Sequence, residues 1–266
     1  MTRAPVLWLT SYPKSGNTWF RFSLFYLLHR RMPESSRELD AQFNSKLPVR
    51  AGEQLKKSHA QASALEPEMV DGDKVIYIVR HPLDVLQSSL NYAVLNGEVG
   101  SEPDAHRAWI ASYVASAGHP PWIGAPYNSG SWNENVFGWI AQPRDRVLVI
   151  KYEDALRDTR EAVATAARFL NMDIPEAVIS ACAQATSFDR LREFEEKELE
   201  TARALNAPQG RFSIAPRLDA AETGIRFFNK GKAGAYRDVL SQAEIHEAWN
   251  AFERVAAQLG YRLDAE

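Results

Sequence analysis

The 266-residue chain contains one cysteine, Cys182, and no run that approaches the roughly 20 apolar residues a membrane helix needs. One cysteine excludes an intramolecular disulfide and a Cys-rich zinc site, and its apolar surroundings indicate a buried, inert thiol. The apolar stretch at residues 6–9 is too short for a signal peptide. These absences favour a cytoplasmic protein without a membrane partner.

An excess of either charge is also missing, since the formal net charge is −3. No overall basic character therefore points to nucleic acid as a partner. With 45% hydrophobic and 24% charged residues, the composition is that of a globular protein with a sizeable core. No repeat and no low-complexity linker divides the chain, so we predict a single domain over residues 1–266.

Apolar runs that read as strands alternate with helical patterns, which predicts an α/β fold with a central parallel sheet flanked by helices. The predicted strands cover residues 6–10, 75–79 and 146–155. A closing amphipathic helix is predicted after Ser241, with Glu244 completing a capping box. Three stretches read as mobile loops that serve substrate or cofactor: residues 35–57, 92–131 and 195–235.

The segment TSYPKSGNTW, residues 10–19, places a dense polar loop between the first strand and a helix. Such a loop directs backbone N–H groups and the positive end of the helix dipole at one point, which makes an anion site. Lys14 adds a full charge, but it precedes Gly16 by two residues, unlike the lysine of a nucleoside-triphosphate loop. Further donors come from the side chains of Ser15, Asn17 and Thr18.

The match YPKSGNTW resembles the phosphosulfate loop of sulfotransferases that use 3′-phosphoadenosine-5′-phosphosulfate (PAPS), which reads YPKSGTTW or close to it. The resemblance implies a P-loop-like, three-layer fold. It also implies PAPS as co-substrate, the desulfated nucleotide PAP as product, and no metal. Lys14 would neutralise the oxygen that bridges phosphate and sulfate, and Trp19 would stack on the adenine. The phosphosulfate would be held by Ser15, Gly16, Asn17 and Thr18.

A second motif, VIYIVRHPLDVLQSSL, places Arg80 at a strand end and Ser88 on the following helix. Arginine offers a planar, permanently charged fork that suits phosphate, and serine adds a hydroxyl donor. The interval of eight residues resembles the 3′-phosphate motif of the same family. Arg80 and Ser88 would accordingly bind the 3′-phosphate.

Between these motifs, LKKSHAQA contains Lys57 and His59, which resemble the family's Lys-Thr-His element. Sulfuryl transfer to a hydroxyl requires removal of the acceptor's proton, and histidine is suited to that step. The resemblance makes His59 the general base, with Lys14 and Lys57 as the other catalytic residues. The remaining five histidines lie in stretches without such context.

Later elements extend the resemblance to the adenine and to the second half of the 3′-phosphate site. Tyr152, Thr186 and Phe188 would contact the adenine, while Lys230 and Gly231 would close on the 3′-phosphate. The chain departs from the family at Asn229, where an arginine is expected. That charge is lost unless a neighbour, Arg226 or Lys232, replaces it.

The sequence therefore predicts a PAPS-dependent sulfotransferase that acts on a small-molecule hydroxyl, with an amine as the less favoured acceptor. Aromatic residues in the predicted loops favour an aromatic or natural-product acceptor, and residues 130–136 resemble bacterial enzymes that sulfate glycopeptide antibiotics. Those aromatic residues are Phe43, Tyr92, Trp109, Tyr113, Trp122, Tyr127 and Phe212. A homodimer is left open.

Two alternatives remain at this point. A small-molecule kinase using ATP would need a magnesium-binding carboxylate at a strand end, for which Asp84 and Asp154 are the candidates. A non-catalytic module could also have kept adenine-nucleotide binding and lost the chemistry. The presence of both Lys14 and His59 disfavours that module.

Overall fold

The computed structural model describes residues 5–44, 48–50, 53–119, 128–205 and 224–263. Within them lies a sheet with the order β2-β3-β1-β4-β5. The neighbours β3, β1, β4 and β5 run parallel, and β2 pairs antiparallel with β3. The strands are β1 (Val6–Ser11), β2 (Pro48–Arg50), β3 (Glu53–Ser58), β4 (Lys74–Val79) and β5 (Val147–Lys151).

Helices cover both faces of this sheet. They are α1 (Asn17–His29), α2 (Ser36–Asn44), α3 (Ala62–Leu65), α4 (Pro82–Leu95), α5 (Pro103–Ala115), α6 (Trp132–Ile140), α7 (Tyr152–Arg157), α8 (Thr159–Phe169), α9 (Glu176–Ala185), α10 (Phe188–Ala204) and α11 (Gln242–Ala256). Short 3₁₀ turns occur at Glu66–Glu68, Ala235–Asp238 and Ala257–Leu259.

The three-layer arrangement follows from the alternation of side chains along the strands. Val6 and Trp8 of β1 enter a core that contains residues of α4, α6 and α11. Leu7 and Leu9 enter a second core on the opposite face, built with α1, α2 and α8. The predicted α/β fold with a helix-flanked parallel sheet is therefore confirmed.

The strand β3 does not have the apolar run by which the other parallel strands are recognised. Among its side chains Leu55 is buried, whereas Lys56 and Lys57 are partly exposed. The preceding helix α2 is similarly polar and buries Leu39 and Phe43, one turn apart. The prediction of a loop over residues 35–57 is thus wrong, because few apolar positions suffice to dock these two elements.

The predicted loop at residues 92–131 is also wrong for much of its length, since it contains the end of α4 and all of α5. Pro103 occupies the first turn of α5 and Asp104 favours the positive end of its dipole. Ile110 and Tyr113, three residues apart, face the core. In the third predicted loop, residues 195–235, α10 continues to Ala204.

The third predicted strand is shorter than expected, because β5 ends at Lys151 and α7 starts at Tyr152. Glu153 and Asp154 lie in the first turn of that helix, where the dipole favours negative charge. By contrast, the predicted capping box is confirmed: Ser241 Oγ accepts from the backbone N–H of Glu244, and the Glu244 carboxylate accepts from Ser241 N–H. The closing helix α11 thus begins where the sequence indicates.

The single cysteine is fully buried, and burial raises the pKa of the Cys182 thiol to about 12. This confirms the prediction of a buried thiol. Across the described ranges, no helix combines the length and the apolar character required to cross a membrane.

Candidate functional site

The carboxyl ends of the parallel strands bring the predicted site residues to one edge of the sheet. From β1 the chain enters the loop with Lys14, from β3 it continues to His59, and from β4 to Arg80. Because β1 lies between β3 and β4, His59 and Arg80 follow strands on opposite sides of that loop. Tyr152 follows β5, beyond β4. The edge of a parallel sheet outside its carboxyl ends is where α/β proteins bind ligands.

The loop after β1 (residues 12–16) has an unusual backbone. Lys14 and Gly16 both have left-handed conformations, with φ of 67° and 103°. A Cβ atom on Gly16 would lie 2.6 Å from Cδ2 of Tyr152, so the position requires glycine for space as well as conformation. Ser15 is buried and its Oγ has no hydrogen-bond partner among the described residues. The loop therefore has the form of an anion-binding nest at a helix start.

The Lys14 ammonium lies between two aromatic rings. Its Nζ is 3.8 Å from the centre of the Tyr92 ring and 4.3 Å from that of Phe227. Burial, together with the positive charge of Arg80, lowers the pKa of Lys14 to about 7. An anion bound in the loop would reverse this effect, because it favours the charged ammonium.

Arg80 supports the same loop from the β4 side. Its Nη1 donates a hydrogen bond to the carbonyl oxygen of Lys14 at 3.2 Å, and its guanidinium carbon is 4.4 Å from the centre of the Tyr152 ring. The side chain is 7% exposed, and its Nε has no partner within the described part of the chain. Ser88 of α4 borders the same cavity. Both side chains thus have donors available beside the loop.

The β3 side of the loop holds His59. Its Nδ1 is 2.9 Å from the carbonyl oxygen of Ser11, and because a carbonyl can only accept, Nδ1 carries the proton. The lone pair of the ring is then on Nε2. Burial lowers the pKa of His59 to about 4, with smaller contributions from the charges of Lys57, Arg21 and Lys14. The imidazole is therefore neutral at pH 7 and can accept a proton.

Aromatic residues form the β5 side of the site. Trp19 donates from Nε1 to the carbonyl oxygen of Thr186 at 2.9 Å, and it meets Tyr152 edge to face with ring centres 5.4 Å apart. The Thr186 hydroxyl donates to the carbonyl oxygen of Cys182 at 2.9 Å. Phe188 starts α10 and borders the cavity. These contacts fix the orientation of the indole that the sequence assigns to adenine stacking.

Residues 225–231, which we call the strap, cross the site and are held by α10. The Glu195 carboxylate accepts from the backbone N–H groups of Phe227 at 2.7 Å and Phe228 at 2.9 Å. Arg192 donates to the carbonyl oxygen of Phe228 at 2.7 Å. Gly231 has φ of 60°, and a Cβ atom there would overlap the ring of Phe188. The strap thereby positions Lys230 and Gly231 at the cavity.

The two neighbours that could replace the charge missing at Asn229 are each paired with a carboxylate. The Asn229 amide donates to Asn91 Oδ1 at 2.8 Å. Arg226 pairs with Glu196, and Lys232 lies 2.9 Å from a carboxylate oxygen of Asp238.

These elements enclose a cavity of about 540 Å³. Every predicted site residue lines it except Ser15, which lies buried in the loop beneath. No aspartate or glutamate of the described chain lines this cavity, whereas five lysines and arginines do. The cationic residues are Lys14, Arg21, Lys57, Arg80 and Lys230. The cavity is therefore suited to a ligand with several negative charges.

Among the residues that line this site, Arg21 and Phe227 were not predicted from the sequence. Arg21 lies one turn beyond the loop residue Thr18 on α1, a spacing that places both on one helix face. Phe227 was not singled out, although it precedes the recognised Lys230-Gly231 pair by only three residues.

The predicted aromatic mouth is largely wrong. Tyr92 lines the cavity, but Phe43 and Tyr113 are buried in the two cores. Trp109 stacks on Tyr113 with ring centres 5.2 Å apart, away from the site. The other three predicted members lie outside the described residues: Trp122, Tyr127 and Phe212.

The two carboxylates that a kinase would need do not border the cavity. Asp84 is buried and accepts from the backbone N–H groups of Gly234 at 2.8 Å and Tyr236 at 3.1 Å, which fixes the turn after the strap. Asp154 is exposed and pairs with Arg157 at 2.6 Å. Neither carboxylate is directed at a ligand in the cavity.

Comparison with known proteins gives a consistent result. Residues 4–260 match a family model described as the sulfotransferase domain. The sulfotransferase 1C2 of Oryctolagus cuniculus is 22% identical over 257 residues, which covers 90% of this chain and 79% of that protein. A 3-beta-hydroxysteroid sulfotransferase of Cavia porcellus is 24% identical over 249 residues, covering 89% and 78% respectively.

Among solved structures, a retinol dehydratase in complex with androsterone and the inactive cofactor PAP is similar over 99% of this chain and 84% of its own. Its TM-score is 0.67 at 19% sequence identity. At that identity the match establishes the fold.

Proposed function

Because this chain belongs to the sulfotransferase family, whose domain model spans residues 4–260, we propose that it transfers a sulfuryl group from PAPS to the hydroxyl of a small molecule. The observation that carries the proposal is the cavity at the sheet edge, where Lys14, Arg80 and Lys230 lie with no described carboxylate and beside the neutral, half-buried His59. The similar retinol dehydratase was solved with PAP, the desulfated form of the same nucleotide.

The residues present fit such a nucleotide. Ser15 Oγ and Arg80 Nε are buried donors that no group of the described chain satisfies, and leaving such donors unpaired costs about 1–3 kcal/mol each. Gly16 and Gly231 leave room for a close approach of the backbone, since a Cβ at either would collide with an aromatic ring. Phosphate oxygens supply the acceptors that these donors lack.

PAPS, when bound, supplies a sulfuryl group attached to a phosphate leaving group. The residues of the chain would bind this nucleotide and accept the proton of the acceptor hydroxyl. Gly16 and Asn17 begin α1 beneath the loop, so its dipole favours negative charge there. Lys14 would bind the bridging oxygen that gains charge as the sulfuryl group departs. Arg80, Ser88 and Lys230 would bind the 3′-phosphate, with Gly231 beside it.

His59 would accept the proton of the acceptor hydroxyl at Nε2. The hydrogen bond from Nδ1 to Ser11 fixes the tautomer that makes this nitrogen the acceptor. The anionic nucleotide would raise the pKa of His59, since it offsets the cations that lower it. Lys57 would stabilise the negative charge on the sulfuryl oxygens. Preorganised charge of this kind accounts for much of enzymatic catalysis.

The acceptor is proposed to be a small molecule with an aromatic or other flat apolar portion. Tyr92 and Phe227 support this, because both rings border the cavity beside Lys14. Bacterial natural products remain the proposed acceptor class on the resemblance of residues 130–136.

Calorimetric titration with PAP tests the nucleotide assignment. Wild type should bind PAP with micromolar affinity, and Arg80→Ala should weaken binding at least about tenfold, since a charged hydrogen bond contributes about 1.5–3 kcal/mol. Arg107→Ala, which removes an exposed arginine paired with Asp104, serves as the matched control. ATP with magnesium binding more tightly than PAP would contradict the proposal and favour the kinase.

A single-turnover assay with radiolabelled PAPS tests the base. The His59→Gln variant should bind PAP as wild type does. Its rate of sulfuryl transfer should fall at least about 100-fold, which is the usual contribution of a general base. Unchanged transfer by the variant would remove His59 from the mechanism.

A further inference from the structure

Arg21 is a buried arginine on the β3 side of the cavity that the proposed chemistry does not use. It is 2% exposed, and it lines the cavity from α1. Its Nη2 donates to Oδ1 of Asp40 on α2, and its guanidinium carbon is 5.0 Å from the centre of the Phe43 ring. Its Nε makes no hydrogen bond with any described residue.

A guanidinium has five N–H donors, and the described contacts of Arg21 satisfy one of them. Burial disfavours its charge and lowers its pKa, and the charge of Asp40 opposes that shift only in part. Arg21 nevertheless lies buried at the wall of the cavity. Its burial at a cavity wall therefore indicates a second partner inside the cavity.

Lys57 adds a second positive charge on this side. It follows Leu55 on β3, borders the same cavity, and forms no ion pair with the described residues. Burial is the main cause that lowers its pKa, the neighbouring charge of Arg21 lowers the pKa further, and the charge of Asp40 opposes this shift in part. Two neighbouring cations at the wall of a cavity that no described carboxylate lines favour an anion there.

The proposed function assigns nucleotide contacts to Lys14, Arg80 and Lys230 and a charge-stabilising role to Lys57, but it assigns no contact to Arg21. Arg80 follows β4, on the opposite side of the phosphate loop from β3. The β3 side is where His59 would receive the acceptor's proton. An anion near Arg21 would therefore belong to the acceptor.

We propose that Arg21, assisted by Lys57, binds an acidic group of the acceptor. The preferred acceptor is then a hydroxy acid whose carboxylate is separate from the hydroxyl that is sulfated. The planar fork of arginine matches a carboxylate. The inference rests on the proposed sulfotransferase function and narrows its acceptor class. It makes Arg21 a residue that selects among acceptors.

The test compares acids with their own primary amides on the PAP-loaded enzyme. Hydroxybenzoate, hydroxyphenylpropanoate and hydroxynaphthoate, each with its amide, are titrated by calorimetry, and their sulfation from PAPS is measured. The acid of at least one pair should bind about tenfold to 100-fold more tightly than its amide. In Arg21→Gln that preference should fall to about one, while PAP affinity stays unchanged.

Arg31→Gln is the matched control, because Arg31 also pairs with a carboxylate of α2, Glu38, but is exposed and outside the cavity. It should keep the full preference for acids. If no acid binds better than its amide to wild type, the anionic subsite is refuted, whether or not the Arg21 variant folds. A preference that persists in Arg21→Gln also refutes it. Failure of PAP itself to bind would instead refute the sulfotransferase proposal.

Discussion

The affinity for PAP is expected to fall as the pH rises above about 7, because Lys14 loses its proton in the empty site. Burial and the nearby Arg80 hold the pKa of this lysine at about 7 instead of its ordinary value of 10.5. A bound phosphate favours the charged ammonium and raises the pKa again. Below pH 7 the lysine is charged with and without ligand, so it contributes no pH dependence there.

Above pH 7 each unit should reduce the association constant about tenfold, since the ligand must recruit a proton that the free protein no longer holds. At pH 9 the loss from this group amounts to about 100-fold, or about 2.7 kcal/mol at 1.36 kcal/mol per unit. The decrease of PAP affinity with pH should stop above the pKa that Lys14 has in the complex with PAP.

Calorimetric titrations between pH 7 and pH 9 measure this directly. The phosphates of PAP, with second pKa values near about 6, are ionised throughout that range. The pKa of His59, about 4, lies below it. Repeating each titration in buffers of different ionisation enthalpy should show uptake of up to about one proton per PAP bound.

The variant Lys14→Arg provides the control, because arginine keeps its charge to far higher pH. Its affinity for PAP should be nearly constant from pH 7 to pH 9. A wild-type affinity that is equally flat, or a slope that survives in Lys14→Arg, would refute the assignment of the titrating group to Lys14.

Two further substitutions test the loop and the strap. Gly16→Ala should reduce PAP affinity at least about tenfold, because the new Cβ would meet Tyr152 at 2.6 Å in a left-handed backbone; Gly100→Ala, which meets no atom within 4 Å, should not. Glu195→Gln should weaken PAP binding about tenfold, since one amide oxygen cannot replace a carboxylate that accepts from two backbone N–H groups of the strap. Glu193→Gln, an exposed change on the same helix, is its control. Equal PAP affinities of the two glycine variants, or of the two glutamate variants, would contradict the reasoning.

The loop after β1 could be predicted from sequence because its polar residues are contiguous. Lys14, Ser15 and Gly16 follow one apolar strand and precede one helix, so local physics alone brings their donors together. Arg80 is predictable for the same reason, as the first residue after a β-branched strand. Because the carboxyl ends of the parallel strands share one edge of the sheet, Arg80 and the loop after β1 come together there.

Contacts between distant segments could not be predicted in this way. The pairing of Arg21 with Asp40 depends on how α2 docks beside α1. The hydrogen bonds between Glu195 and the strap join positions more than thirty residues apart. The strand β3 was not predicted because it lacks the apolar run of β1 and β4: Leu55 is buried, whereas Lys56 and Lys57 are partly exposed.

The misplaced aromatic residues have a different explanation. Phe43 lies four residues after Leu39, a spacing that indicates one buried helix face, and Tyr113 lies three after Ile110. Composition alone suggested a binding surface, whereas periodicity points to the core. Tyr92, the member that does reach the cavity, is partly exposed on α4.

The backbone of Lys14 places stability and function in opposition at one residue. Its φ of 67° lies in the region that glycine enters freely, whereas a side chain there costs about 1–2 kcal/mol. Exchanging this lysine for glycine would relieve that strain and also remove the half-buried ammonium. Selection for thermal resistance alone would therefore favour the exchange, whereas the role proposed for Lys14 in catalysis would oppose it.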